Sequence, residues 1–446
     1  MPINRRTALA GGLSTLGAIG TLHPGLSLAL PTQSRRFPEG FAWGAATAAY
    51  QVEGNNLNSD TWALEHAQPT TFAELSGDAA NSFELWPRDL DLVRSLGFNT
   101  YRFSLEWARI EPARGQFSQA MLDHYKAMVA GCHERGLTPV VTFNHFTTPI
   151  WFAANGGWSS ADAVDLFANF CERAARHLAD GLSSVTTLNE PNLVGMLEVA
   201  LPGGRGAKLI GPDKAMSEAV ARKLGAALFL AGNPIYVPDR HVVQANLIAG
   251  HKAGRAAIKA VRGDLRVGVS LAINDDQAVP GGEALRDSMR AQLYDPWLEA
   301  AREDDFLGVQ NYYRAVWGPE GKLANPSDAI VNSSGSEIYA ASLAGAVRYA
   351  HSRCPLPVFV TEHGVATDDD AQRAAFIPAA LEALRGVMDE GVPVTGYLHW
   401  SLLDNYEWFH GYAPKYGLCS VDRTSFARSP KPSAHVLGRI AANNAL

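Results

Sequence analysis

Cysteine is scarce in this 446-residue chain: Cys132, Cys171, Cys354 and Cys419 are its four, scattered and without CxxC spacing. Such scarcity excludes a disulfide-built scaffold and a thiolate metal cluster. Cys132 and Cys171 fall in helical patterns, which predicts buried free thiols. Charge is also sparse. Charged residues make up 19% of the chain, the formal net charge is −7, and no run of Lys or Arg exceeds a pair. A nucleic-acid partner would need a clustered basic face, so none is expected. There is no HExxH and no second His correctly spaced from His145, so no catalytic metal is expected. Nothing implies a cofactor.

What is present begins with an unusual N-terminus. "MPINRRTALAGGLSTLGAIGTLHPGLSLALPTQSR" has Arg5 and Arg6, then no further charged residue until Arg35. A basic start, a weakly apolar stretch and small residues at Ser27 and Ala29 read as an export signal over residues 1–29. The Arg pair points to the bacterial twin-arginine route, hence a periplasmic or secreted protein. Five Gly and Pro24 between residues 11 and 25 make a poor membrane-spanning helix, so no stable membrane association is expected once the signal is gone.

Beyond it, 47% hydrophobic residues supply a large core. Eight apolar, β-branched or aromatic runs read as strands: 41–51, 100–107, 138–146, 184–191, 266–274, 306–313, 357–364 and 394–404. Stretches such as "MLDHYKAMVAGCHERG" carry apolar residues at helical spacing between them. One gap, 191 to 266, is longer and holds the loop-like inserts "ALPGGRGAKLIGPD" and "LAGNPIYVPDR". Eight alternating units predict an α/β fold, a (β/α)8 TIM barrel, as a single domain with elaborated βα loops. A doubly wound sheet is the alternative.

Active sites of such barrels lie at the carboxyl ends of the strands. Collected there are Gln51, Arg102, Asn144, His145, Asn189, Glu190, Asn311, Tyr313, Glu362, Trp400, Glu407 and Trp408. Glu190 and Glu362 end the fourth and seventh strands, across the barrel mouth from each other. Two carboxylates facing one pocket with aromatic walls suit glycosidic bond cleavage. Two bland readings stand beside this one. Glu190 alone suits a helix cap, although Pro191 ends the strand sharply; Glu362 alone suits a structural ion pair with Arg102. No Lys occupies a strand end, which disfavours Schiff-base chemistry.

The blocks "FAWGAATAAYQVEG", "YRFSLEWARIEP", "TFNHF", "TLNEPN", "QNYY", "VTEHG" and "HWSLLDNYEWFHGYAPKYGL" occur in this order. Together they resemble glycoside hydrolase family 1, the β-glucosidase family, from about Phe37, giving a catalytic barrel over 37–446. The resemblance implies Glu190 as acid/base and Glu362 as nucleophile of a retaining exo-β-glucosidase. It also implies that Gln51, His145, Asn189, Trp400, Glu407 and Trp408 hold or line the sugar site. Arg102 and Tyr313 align with residues that position the nucleophile, and Asn311 with a polar neighbour. Relatives acting on 6-phosphosugars carry Ser where Glu407 stands, so a neutral glycoside is implied. Transfer to an acceptor other than water, and cleavage of β-galactosides or β-fucosides, are the alternatives, with Leu193, Met196 and Leu197 as apolar entrance candidates.

Three departures from the family pattern carry expectations of their own. His363 replaces the usual Asn after the nucleophile and would alter its electrostatics and the pH optimum. Phe146 replaces a common Trp. The stretch "LVGMLEVALPGGRG" replaces the usual Gly- and His-containing segment, which would reshape the entrance. Oligomeric state is not legible.

Overall fold

Each of the eight apolar runs forms a strand. They are β1 (Ala42–Ala46), β2 (Thr100–Ser104), β3 (Thr138–Asn144), β4 (Ser184–Asn189), β5 (Arg266–Ala272), β6 (Phe306–Asn311), β7 (Val358–His363) and β8 (Val394–Trp400). The computed structural model describes residues 36–200 and 205–446; the expected export segment, 1–29, lies outside them. Every strand pairs in parallel with its sequence neighbour, and β8 returns to β1 with Ala42 opposite Gly396 and Ala46 opposite Trp400. The closed barrel explains why these strands read as unbroken apolar runs. Parallel strands under a layer of helices are buried on both faces.

The barrel interior below the site is filled by Val140, Phe306, Phe359 and Leu398. Outside, helices such as Gln119–Glu134, Ala163–Leu178 and Asp370–Asp389 bury their apolar stripes against the strands. All four cysteines are buried free thiols, with Cys132 and Cys171 on the first two of these helices.

Three expected elements differ. The first run is strand only to Ala46, and Gln51 sits on a short helix, Ala49–Glu53. There the chain leaves the ladder: Thr47 N still bonds Arg102 O at 2.9 Å, while Ala49 N donates to the Ser104 hydroxyl at 2.8 Å. The second run stops at Ser104, and Trp107 opens the helix Trp107–Ile110, capped by Glu106. Of the two inserts expected to be loop, 230–240 is loop as far as Asp239, while the described part of 200–213 is helical. Arg205–Leu224 is one helix despite Pro212, because Met216, Val220 and Ala221 bury an apolar stripe against Leu64 and Phe229.

One glycine is fixed by the barrel mouth itself. A Cβ on Gly364 would lie 2.0 Å from the Trp400 carbonyl oxygen. Only Gly lets the exits of β7 and β8 approach so closely, which brings Glu362 and Trp400 to one opening.

Candidate active site

Strict alternation along β7 would bury Glu362 in the wrong place. Phe359 faces the barrel interior, so period two carries Thr361 and His363 inward and turns Glu362 out. A register break between Val360 and Glu362 reverses this. The irregularity re-aims one side chain at the cost of a paired backbone step. Glu362 then faces in. β4 does the same: the register breaks between Thr186 and Asn189, so Thr186 and Asn189 both face the interior while Thr187 bonds His251 on the outer layer. Both acid-bearing strands are bulged just before the acid.

Glu362 is held on two sides. Arg102 Nη1 donates to Oε1 at 2.5 Å, and the Tyr312 hydroxyl donates to Oε2 at 2.6 Å. The remaining donors of the fully buried Arg102 reach Thr142 Oγ1 at 3.0 Å and Asn189 Oδ1 at 2.6 Å. Asn189 Oδ1 also accepts from Gln310 Nε2 at 2.8 Å, and Asn189 Nδ2 donates to His145 Nε2 at 3.2 Å. With Nε2 accepting, the imidazole proton lies on Nδ1, which has no partner among the described residues. Burial and the nearby Arg102 charge push the His145 pKa well down, so the ring is neutral.

Gln51 Nε2 donates to Tyr406 O at 2.8 Å and to Glu407 Oε2 at 3.2 Å, and among the described residues its buried Oε1 has no partner. Trp400 stacks on His145 (centroids 5.6 Å, 16°) and Trp408 on Tyr50 (5.8 Å, 13°). Gln51, His145, Glu190, Tyr313, Glu362, Trp400, Glu407 and Trp408 all line one cavity of about 180 Å³, joined by Leu193 and Met196. The side chain of Leu197 lies outside the described residues. A cavity of roughly 150 Å³ accepts one benzene, so this one takes a single six-membered ring. A larger cleft of about 1040 Å³ opens at the other end of the barrel, around Phe37, Thr138 and Val394, away from every carboxylate of this group.

Two expected placements are corrected. Tyr313 does not touch Glu362; Tyr312 does. The reason is parity: Phe306 and Gln310 face inward on β6, and Tyr312 continues that face. Asn311 does not line the cavity. Its amide bonds Ile273 O at 2.8 Å and its carbonyl accepts from Ser342 at 2.7 Å, so it ties β6 to the outer helix Ser342–Arg353. Sequence reasoning also missed Gln310, although "VQNYY" places it two residues before Tyr312 on the same face. We expect Tyr312→Phe to lower kcat/KM about tenfold to a hundredfold, the worth of a hydrogen bond to a charge. It should also move the acidic limb of the pH profile upward, whereas Tyr313→Phe leaves that limb in place.

The expected influence of His363 on Glu362 is also corrected. Its ring turns to the outer layer, where Nδ1 meets the Tyr397 hydroxyl at 2.9 Å and the face stacks on Phe376 at 4.9 Å. Burial pushes its pKa down to about 3, so it brings no charge to the neighbouring acid.

Three carboxyls therefore share one cavity with one guanidinium. Burial lifts Glu190 well above the ordinary range; the charges of Glu362 and Glu407 add to the rise and Arg102 opposes it. Burial raises Glu362 too, but Arg102, Tyr312 and Gln310 all pull it back. Among the described residues no hydrogen bond reaches the Glu190 carboxyl, so of the pair Glu362 ionises first. Glu407 is pushed up to about 8 by burial and by Glu362.

Glu407 also makes a stability prediction. Folded Glu407 keeps a proton that the unfolded chain releases near its ordinary value of 4.5. Stability is therefore lost as pH rises from there through about 8. Glu407→Gln escapes this loss and can still accept from Gln51. We expect its melting temperature to exceed wild type by a few degrees, the gap widening from pH 5 to pH 8 and then levelling.

What the arrangement can do follows from these groups. An ionised and a protonated carboxyl face one ring-sized cavity, with unpaired donors and acceptors suited to hydroxyl groups, which both give and accept hydrogen bonds. A model of "Glycosyl hydrolase family 1" matches residues 33–219 and 306–446. A solved β-glycosidase, BGL167, is similar at 45% identity and a TM-score of 0.85, over 92% of this chain and 98% of its own. The apo structure of a β-glucosidase designated 1317 is similar at 41% identity and a TM-score of 0.85, over 90% of this chain and 98% of its own. Among curated proteins, β-glucosidase A of Thermotoga maritima is 28% identical over 92% of this chain and 99% of its length.

Proposed function

Since the chain belongs to glycosyl hydrolase family 1 and is a glycoside hydrolase, we propose that it is a retaining exo-β-glucosidase acting on terminal, non-phosphorylated β-D-glucosyl residues. The observation that carries the reading is the unequal treatment of the two acids. Glu362 receives Arg102 and Tyr312, while Glu190 faces the same cavity with no donor among the described residues.

In the first step the Glu362 carboxylate attacks the anomeric carbon as the bond to the aglycone oxygen breaks. Glu190 gives that oxygen its proton, and a glycosyl ester forms on Glu362. Esterification removes the Glu362 charge, so a major cause of the raised Glu190 pKa disappears. Glu190 then takes a proton from water, the water oxygen attacks the anomeric carbon, and Glu362 leaves as carboxylate. His145 Nδ1, Gln51 Oε1 and Glu407 supply hydrogen bonds to the sugar hydroxyls. A cavity for one ring supports action at chain ends.

A phosphate beside Glu407 would place further negative charge where burial and the Glu362 carboxylate already hold Glu407 itself neutral, which supports a neutral substrate. Export supports it as well: Arg5, Arg6 and the uncharged stretch after them would carry the enzyme outside the cytoplasm, where a phosphorylated disaccharide from uptake does not occur. The test is a panel of p-nitrophenyl β-glycosides at equal concentration. Glucoside cleavage should lead, with galactoside and fucoside slower and the 6-phosphoglucoside untouched. A galactoside or fucoside preferred tenfold would overturn the glucosidase reading, and a cleaved 6-phosphoglucoside the role of Glu407.

A further inference from the structure

The segment 225–239 lies outside the two stretches matched by the family model, yet it reaches the active site. Gly232 N donates to Asp60 Oδ2 at 2.7 Å, and the Thr148 hydroxyl donates to the same oxygen at 2.8 Å. Asp60 N in turn donates to Thr148 O at 2.9 Å. Asp60 is fully buried. A Cβ on Gly232 would lie 1.8 Å from the Phe146 carbonyl oxygen and 3.1 Å from Thr148 Cγ2. The backbone of this segment therefore lies directly on the peptide of Phe146.

Phe146 has a φ of +69°. An aromatic residue seldom adopts that left-handed conformation and keeps it only where its surroundings fix it. Here the result is a ring that meets Trp408 edge-on at 5.5 Å and lines the cavity. Leu193 and Met196 line it too. They follow Glu190 directly, and Leu193 N bonds the Glu190 carbonyl at 3.0 Å. Because Glu190 must reach the leaving oxygen, groups beside it flank the aglycone.

We propose that Asp60 and Gly232 are positioning residues that hold Phe146, with Leu193 and Met196, as an apolar aglycone wall selecting alkyl or aryl β-glucosides over those with a sugar aglycone. This rests on the glucosidase reading given above. Among the described residues Asn274 and Tyr313 add polar groups to the same lining. A sugar aglycone carries hydroxyls around its whole edge, and those turned to Phe146, Leu193 and Met196 would lose water without gaining a partner. An alkyl chain gains from the same burial.

The test uses n-alkyl β-D-glucosides from methyl to hexyl, whose leaving alcohols differ little in acidity, with cellobiose alongside. Wild type should gain about threefold in kcat/KM per methylene that reaches the wall, through KM rather than kcat. Hexyl glucoside should exceed cellobiose at least about tenfold on the same burial. Gly232→Ala must displace the Phe146 carbonyl. It should flatten the series as Phe146→Ala does, losing most of the roughly threefold gain per methylene. Thr148→Val removes the hydroxyl on Asp60 while keeping its shape, and gives the same readout should Gly232→Ala fail to fold.

A flat wild-type series, or cellobiose preferred to hexyl glucoside, overturns the wall while leaving the glucosidase reading intact. A full slope in Gly232→Ala or in Thr148→Val overturns the clamp. Failure to cleave any β-glucoside overturns the underlying reading instead.

Discussion

Glu362→Gly should lose at least about 10⁴-fold in kcat/KM on p-nitrophenyl β-glucoside, since removing a nucleophile leaves only binding and electrostatic catalysis. Sodium azide should restore turnover and give the α-glucosyl azide. The reason is steric as much as electronic. Loss of the side chain opens a space between Arg102 and Tyr312, on the face opposite the aglycone, where a small anion can sit. Azide attacking from there inverts the anomeric centre once, and no second displacement follows. Glu190 is still present to protonate the leaving oxygen, so the rescued reaction keeps its acid. Arg102, which holds Glu362 at 2.5 Å, would hold the anion instead. An inert variant that azide does not rescue, or a β-azide product, would remove Glu362 from the nucleophile's role.

The second large effect is at Glu190. Glu190→Ala should cost about 10²–10⁴-fold on alkyl glucosides, the usual worth of a positioned acid. On glucosides of acidic phenols the first step should be nearly unaffected, because those oxygens leave without a proton. Azide should again accelerate turnover, now by attacking the glycosyl ester from the aglycone side to give the β-azide. The pH profile separates the two acids. For wild type, activity rises as pH climbs through the Glu362 pKa and falls as pH climbs through that of Glu190, both lying above the ordinary 4.5. In Glu190→Ala the alkaline limb should vanish. A profile unchanged by this substitution would place the proton donor elsewhere.

Much of this was legible in the sequence, and the misses share a cause. The eight strands follow from apolar runs because a parallel barrel buries both strand faces. Glu190 and Glu362 stand at strand exits as their order predicts, while Gln51 and Glu407 reach the same cavity from the helix and the loop that follow β1 and β8. Side-chain direction was harder. Period two predicts Tyr312 rather than Tyr313 beside Glu362, and Asn311 on the outer face, but matching the "QNYY" block by position ignored that parity. For Glu362 the same rule fails, because a bulge shifts the phase within "VFVTEH". No residue type in that stretch announces a bulge; it is set by the pairing with β6 and β8. The same shift sends His363 outward, which is why an imidazole is tolerated beside the acid. The role of Gly232 was illegible for another reason. It depends on a contact between residues 232 and 146 that no local pattern encodes.

The most direct test of the account is the anomer first released. Proton NMR during the opening minutes of p-nitrophenyl β-glucoside hydrolysis should show β-glucose appearing first, with the α-anomer growing in only at the rate of spontaneous mutarotation. Early α-glucose would mean a single displacement by water, and Glu362 would then be a base rather than a nucleophile.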